Sequence, residues 1–254
     1  MLFPIGDERT GKGSFPIVNY AIIALNVIVF LIELSQGDLF ITGYSVVPYE
    51  ITHGIDLVGR TPVAGIPHGI VQGPGPHPIY LTLLTSMFMH GSWLHIGGNM
   101  LYLWVFGDNV EDAFGHLKYL IFYLICGFAA AFAQIALAPD SLVPSLGASG
   151  AIAGVLGGYL VMFPRNRIRT LVFYFLITII WLPAVVVIGV WILIQLFSQF
   201  ASISEATAQT GGGGVAYMAH IGGFFAGVIL TFLFRPKNQV NEPYDSYNQY
   251  NRPY

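Results

Sequence analysis

Charge is scarce along this chain. Lys and Arg number 10 and Asp and Glu 13 among 254 residues, 9% in all, against roughly 25% in soluble domains. That shortfall, with 55% hydrophobic residues, excludes an ordinary soluble globule and points to a polytopic membrane protein. There is no basic block and the net charge is -3, so nucleic acid is not an expected partner. Cysteine is nearly absent. The single Cys126 excludes an intramolecular disulfide and a four-cysteine metal site, and its apolar surroundings make it a small core residue. An Arg-rich leader is lacking as well. The first 15 residues carry Asp7, Glu8, Arg9 and Lys12 without a small-residue cleavage site, and read as a short cytoplasmic tail.

Long apolar runs are what the chain does have. They cover Pro16 to Leu34, Trp93 to Val110, Leu117 to Leu137, Ser149 to Phe163, Leu171 to Phe197 and Val215 to Phe234. The expected fold is therefore an all-α, six-transmembrane-helix bundle over residues 16–236. A long outer loop follows helix one at 35–81, and a disordered cytoplasmic tail occupies 237–254. Nine of the ten basic residues, all but Arg60, fall on one side of this arrangement. By the positive-inside rule that side is the cytoplasm, and both termini lie there.

The fourth run is too short. Fifteen residues make a helix about 22 Å long, against a hydrocarbon core of about 30 Å. Arg165, Arg167 and Arg169 follow it and pin its lower end to the cytoplasmic interface, so the upper end, Ser149, is expected several ångströms below the outer surface. The segment Leu137 to Ala148 must dip to reach it, which a membrane tolerates only where protein or a wet cavity covers the backbone.

Other polar groups belong to the same layer. His220 lies about five residues into helix six, while His95 and Asn99 are four apart near the outer end of helix two. Gly150, Gly154 and Gly157 form one small face, and Gly222, Gly223, Ala226 and Gly227 another. These helix-packing faces let two backbones approach closely in lipid, and Ser149 and His220 stand at their outer ends. Taken singly, the glycines read as packing sites and His220 as a satisfied core histidine; shared depth and seam argue otherwise. A serine hydroxyl becomes nucleophilic when a neighbouring base takes its proton, and histidine suits that work. The backbone N–H of Ser149 with His95 and Asn99 would supply donors to an oxyanion. Asp140 and Glu205 fall in outer loops and Asp108, Glu111 and Asp112 at the inner end of helix two. No acid is thus expected to orient His220, and a catalytic dyad is predicted.

These residues resemble a known family. Gly147-Ala148-Ser149-Gly150 is similar to the GxSG motif of rhomboid intramembrane serine proteases, and Ala219-His220-Ile221-Gly222-Gly223 to the motif carrying their histidine. His90-Gly91-Ser92-Trp93-Leu94-His95-Ile96-Gly97-Gly98-Asn99 resembles the HxxxxHxxxN pattern of the second helix. The resemblance implies a Ser149–His220 dyad, an oxyanion hole of His95, Asn99 and the Ser149 amide, and hydrolysis of single-span membrane-protein substrates without cofactor or metal. The expected location is a prokaryotic plasma membrane, with the site opening to the outer side. Leu81-Thr82 replaces a Trp-Arg pair found in some members, and Ala153 replaces a tyrosine that stacks on the histidine, leaving Tyr217 or Phe224 to pack there. Two other classes remain open: a catalytically silent membrane-protein binder or chaperone, and a channel or transporter.

Further expectations concern the rest of the chain. Tyr44 to Ile51 reads as a short interfacial helix. His53, His68 and His77 read as solvated loop residues rather than a zinc site; His90 ties the loop to helix two, and His116 sits in a cytoplasmic turn. Glu111 or Asp112 would accept hydrogen bonds from amides opening helix three. Asn26 and Gln134 would bond between helices. Pro183 would kink helix five, making it a moving gate, and Ala201 to Gly214 is a connector or cap over the pocket.

Overall fold

A computed structural model describes residues 2–8, 13–63, 66–173, 177–208 and 216–235. The glycines 211–214, the tail 237–254 and the basic residues Arg9, Lys12, Lys237 and Arg252 lie outside these. The chain opens with strand β1 (Leu2–Asp7) and helix α1 (Ile17–Gln36). The first loop then folds into α2 (Asp38–Tyr44), α3 (Pro48–His53), a hairpin of β2 (Gly59–Val63) and β3 (Ile66–Gln72), and a run of short turns containing α4 (Thr82–Thr85). There follow α5 (Trp93–Phe114), α6 (His116–Leu137), α7 (Ser149–Met162), β4 (Arg167–Phe173), β5 (Ile177–Pro183), α8 (Ala184–Ala208) and α9 (Tyr217–Phe234).

Among the described residues, α1, α6 and α9 are long and apolar enough to cross a membrane. α5 has 22 residues but carries Asp108, Glu111 and Asp112 towards its end. α7 and the apolar part of α8 are shorter. Leu25, Ile28, Leu31 and Ile32 on α1, and Ile229, Phe232 and Leu233 on α9, face outwards, as lipid-facing side chains do. The fold is mostly helical, but the all-α expectation needs correction: among the described residues five strands form two small sheets.

The larger sheet overturns two expectations. Neither Leu171 to Phe173 nor Ile177 to Pro183 begins a kinked helix, since β4 and β5 pair antiparallel in register from Arg167↔Pro183 to Phe173↔Ile177. Pro183 ends β5 immediately before α8, where its missing N–H removes no helix bond. The N-terminal residues are not a free tail either, because β1 pairs antiparallel with the other edge of β4. The connector expected from Ala201 instead begins as helix, α8 continuing to Ala208. The single helix expected over Tyr44 to Ile51 is two, separated at Ser45 by an extended backbone.

Two acids at the end of α5 serve a different helix from the one expected. Buried Glu111 accepts hydrogen bonds from the N–H groups of Val18 and Asn19 at 2.9 and 2.7 Å, and Asp112 accepts from those of Gly13 and Ser14. Glu111 thus satisfies the opening of α1, where Pro16 offers no side-chain cap, and Asp112 ties down the residues just before it, instead of the opening of α6. The His116 ring also bonds to Glu111. Asn26 donates to the Ile22 carbonyl of its own helix at 2.8 Å, and its side chain also meets the Tyr123 hydroxyl of α6, as expected of a bond between helices. For Gln134 Oε1 no hydrogen-bond partner occurs among the described residues.

The core that positions the site is α6, α7 and α9, packed where side chains are smallest. A Cβ on Gly223 would lie 2.0 Å from the Gly150 carbonyl oxygen, and one on Gly227 2.0 Å from that of Gly154. One on Gly157 would reach the Phe224 carbonyl oxygen at 2.3 Å. Gly150 and Gly154 also admit α6, their absent Cβ atoms falling 2.6 Å from Ala130 Cβ and 2.4 Å from Cys126 Sγ. Gly222 departs from the expected seam, since it faces Ala133 of α6. Ala226 is half-buried.

Candidate active site

Ser149 is the first residue of α7, so its backbone N–H has no acceptor within the helix. The chain reaches it through Gly147, whose φ of +128° suits glycine; a Cβ there would also lie 2.8 Å from His95 Nε2. The segment before it is covered by protein. Ser145 exchanges both backbone hydrogen bonds with Val46, the N–H of Tyr49 donates to the Ser141 carbonyl, and the N–H of Gly147 donates to that of Ser86. Gln72 Nε2 donates to the Leu142 carbonyl at 3.1 Å. The long first loop therefore supplies the partners that an irregular backbone near Ser149 requires.

His220, on the first turns of α9, meets Ser149 across the glycine seam. Its Nε2 lies 2.7 Å from Ser149 Oγ. The other ring nitrogen, Nδ1, lies 2.7 Å from Gln195 Oε1 on α8. Because that carboxamide oxygen only accepts, the Nδ1 proton is held there and Nε2 is left to accept the serine O–H. Trp191, one turn earlier on α8, packs its ring 5.8 Å from the imidazole; this aromatic neighbour comes from α8, not from Tyr217 or position 153. Phe224 packs against Trp191.

α5 contributes the opposite side. Ser92 Oγ caps the helix by accepting from the His95 N–H, and this first turn carries His95 beside Gly147. Asn99, on the same face, donates from Nδ2 to Nε2 of fully buried His90 at 2.9 Å. The backbone N–H of His90 in turn donates to Glu33 of α1, 3.1 Å from each carboxylate oxygen. His90 thus does connect the loop to α5, by a route running from α1 to Asn99.

Ser149, His220 and His95 come together in one region, with Gln195 and Trp191 beside His220; Asn99 joins through His90, whose ring packs against His95 and whose amide meets Glu33. Of these, Gln195, Trp191 and Glu33 are not among the residues the sequence singles out for the site, whereas His90 is. A lone Gln in an apolar run and a Glu within α1 were the available signals, since buried polar groups demand partners. Among the described residues no group of three or more His, Cys, Asp or Glu is arranged to hold a metal ion. His53 stacks on Tyr49, and His68 uses its backbone carbonyl to accept from Arg60.

Fold and site together define a multi-pass membrane protein with a serine–histidine pair between helices. The Rhomboid domain family matches residues 78–237, and the chain belongs to that family. It is 31% identical over 153 residues to Rhomboid protein 1, mitochondrial, of Saccharomyces cerevisiae, covering 59% of this chain and 40% of that protein. It is 28% identical over 261 residues to RHOMBOID-like protein 4 of Arabidopsis thaliana, covering 93% of this chain and 60% of that one. Rhomboid protease GluP of Bacillus subtilis is 39% identical over 85 residues, 34% of this chain and 16% of that protein. The chain thus spans about half the length of the first two relatives.

Proposed function

We propose that the chain is an intramembrane serine protease that hydrolyses peptide bonds in or near transmembrane segments of single-span membrane proteins. The observation that carries this reading is the 2.7 Å approach of Ser149 Oγ to His220 Nε2, within the range of a hydrogen bond that passes a proton. Ser149 attacks the scissile carbonyl carbon as His220 Nε2 takes the hydroxyl proton. The same imidazolium then protonates the leaving amine, and a water activated by His220 releases the acyl group.

Charge developing on the carbonyl oxygen needs donors already aimed at it. The Ser149 N–H at the helix start, His95, and the second Nδ2 proton of Asn99 are the groups in reach, the first of those protons being taken by His90. The same reading counts six crossings, α1, α5, α6, α7, α8 and α9, with both termini cytoplasmic and the site opening outwards. It also puts the chain in a prokaryotic plasma membrane. The mitochondrial relative makes an organelle membrane the alternative, which the location of a fluorescent fusion decides.

The test is covalent labelling. A fluorophosphonate probe should modify the wild type in proteoliposomes and fail on Ser149→Ala and on His220→Ala. Labelling that persists in Ser149→Ala would overturn the assignment.

A further inference from the structure

We propose that Gln195 is a positioning residue for His220: it selects the ring tautomer that lets Nε2 act as a base, and so makes the reaction depend on the seating of α8. This rests on the serine–histidine reading above. A neutral imidazole carries one proton, and only the Nδ1–H form presents a lone pair to Ser149. A buried N–H without an acceptor is costly, so whatever stands opposite Nδ1 decides the tautomer. Here it is Gln195 Oε1, 2.7 Å away on a side chain that is itself buried.

A carboxamide fixes the proton without adding a charge. An aspartate in that place would both orient the ring and stabilise the imidazolium; glutamine performs the first task alone. Among the described residues the groups facing His220 are few. α7 brings Ser149, α8 brings Gln195 and Trp191, and α5 brings His95, the titratable neighbour that acts on it electrostatically.

Gln195 and Trp191 are four apart and share one face of α8. That face is the helix's packed side, with Val187, Ile188, Ile192 and Gln195 buried, whereas Val185, Val186, Leu193, Ile194 and Phe197 are exposed. Ser149 and His220 ride on the glycine-packed α7 and α9 instead. An outward shift of α8 by about 1 Å stretches the Gln195 bond beyond hydrogen-bond range while the serine and histidine stay together. The base is thus correctly protonated only when α8 is seated.

The experiment measures kcat/KM for cleavage of a model single-span substrate in proteoliposomes against pH, with fluorophosphonate labelling rate as a second readout. Gln195→Leu should lower kcat roughly 10- to 100-fold with KM within about twofold. Gln195→Glu, of the same shape, should retain activity and move the acid limb of the profile upwards by about one pH unit, because a carboxylate favours the imidazolium. A purely structural Gln195 would leave that limb in place. In 15N-histidine NMR spectra the His220 ring, assigned by the signal lost in His220→Ala, should carry its proton on Nδ1 in the wild type, and Gln195→Leu should shift that ring towards the other tautomer.

Unchanged kcat in Gln195→Leu, or a superimposable profile in Gln195→Glu, overturns the proposal. If labelling of the wild type survives Ser149→Ala, the serine–histidine reading has failed. If it is lost there and in His220→Ala but is indifferent to both Gln195 variants, only the role of Gln195 has failed.

Discussion

Replacing Gly223 by alanine should separate Ser149 from His220 without touching either. The added Cβ would stand 2.0 Å from the Gly150 carbonyl oxygen and 3.3 Å from Ala130 Cβ, where ordinary contact begins at 3.4 Å. Helix backbone on both sides has no soft side chain to move aside, so α9 must retreat from α7 by about 1.4 Å at this level to restore van der Waals contact. Gly150 is next to Ser149, and Gly223 is one helical turn from His220. A retreat of that size takes the 2.7 Å hydroxyl–imidazole distance to about 4 Å, outside hydrogen-bonding range. Loss of general-base assistance costs about 10²- to 10⁴-fold. The assay is the fluorophosphonate labelling rate in proteoliposomes, alongside the melting temperature in detergent. Gly189→Ala on α8, where a Cβ meets nothing within 4 Å, should label like the wild type. Wild-type labelling by Gly223→Ala would refute the idea that the seam sets the distance.

Two further perturbations test the surroundings. Glu111→Ala removes the acceptor for the Val18 and Asn19 amides and should destabilise the protein by about 2–4 kcal/mol, read as a lower melting temperature in detergent; an unchanged melting temperature contradicts the capping role. In the first loop, burial pushes the Glu50 carboxyl up to about 7, the nearby Asp56 charge adding to this and the Leu57 N–H opposing it. Because the folded loop holds this proton more tightly than the unfolded chain, its stabilising effect is complete below about pH 4.5 and is lost as pH rises through about 7. The protection of α3 amides, taken relative to their intrinsic exchange rate at each pH, should therefore fall across that interval in the wild type and stay level in Glu50→Gln; parallel profiles would dismiss the effect.

The sequence is most readable where chemistry and packing coincide. Ser149 and His220 stand out because a hydroxyl and an imidazole are costly in an apolar chain, and each opens a glycine face that betrays a close neighbour. Gln195 does not stand out: one amide in the run Ile192 to Phe197 looks like any half-buried helix residue until the partner's ring is in view. The run Leu171 to Pro183 misleads because continuous hydrophobicity suits helix and strand alike. Its β-branched Ile177, Thr178, Ile179 and Ile180 are the signal that favours strand. Glu111 misleads for another reason. The amides it accepts from are 92 and 93 residues away, and local pattern offers only the neighbouring turn. The first loop, rich in proline and glycine, gives no hint that its backbone is spent on supporting the stretch before Ser149.

The pairing of β1 with β4 constrains how the chain threads the bilayer. Two strands joined edge to edge occupy one compartment, so everything between Asp7 and Arg167 must pass through the lipid an even number of times. Tyr159 and Asn109 reinforce the knot by both donating to Asp7 at 2.6 Å. Membership of that compartment is thus written into backbone geometry as well as into the arginines, and reversing the charges alone would have to tear a strand from its sheet to invert the protein.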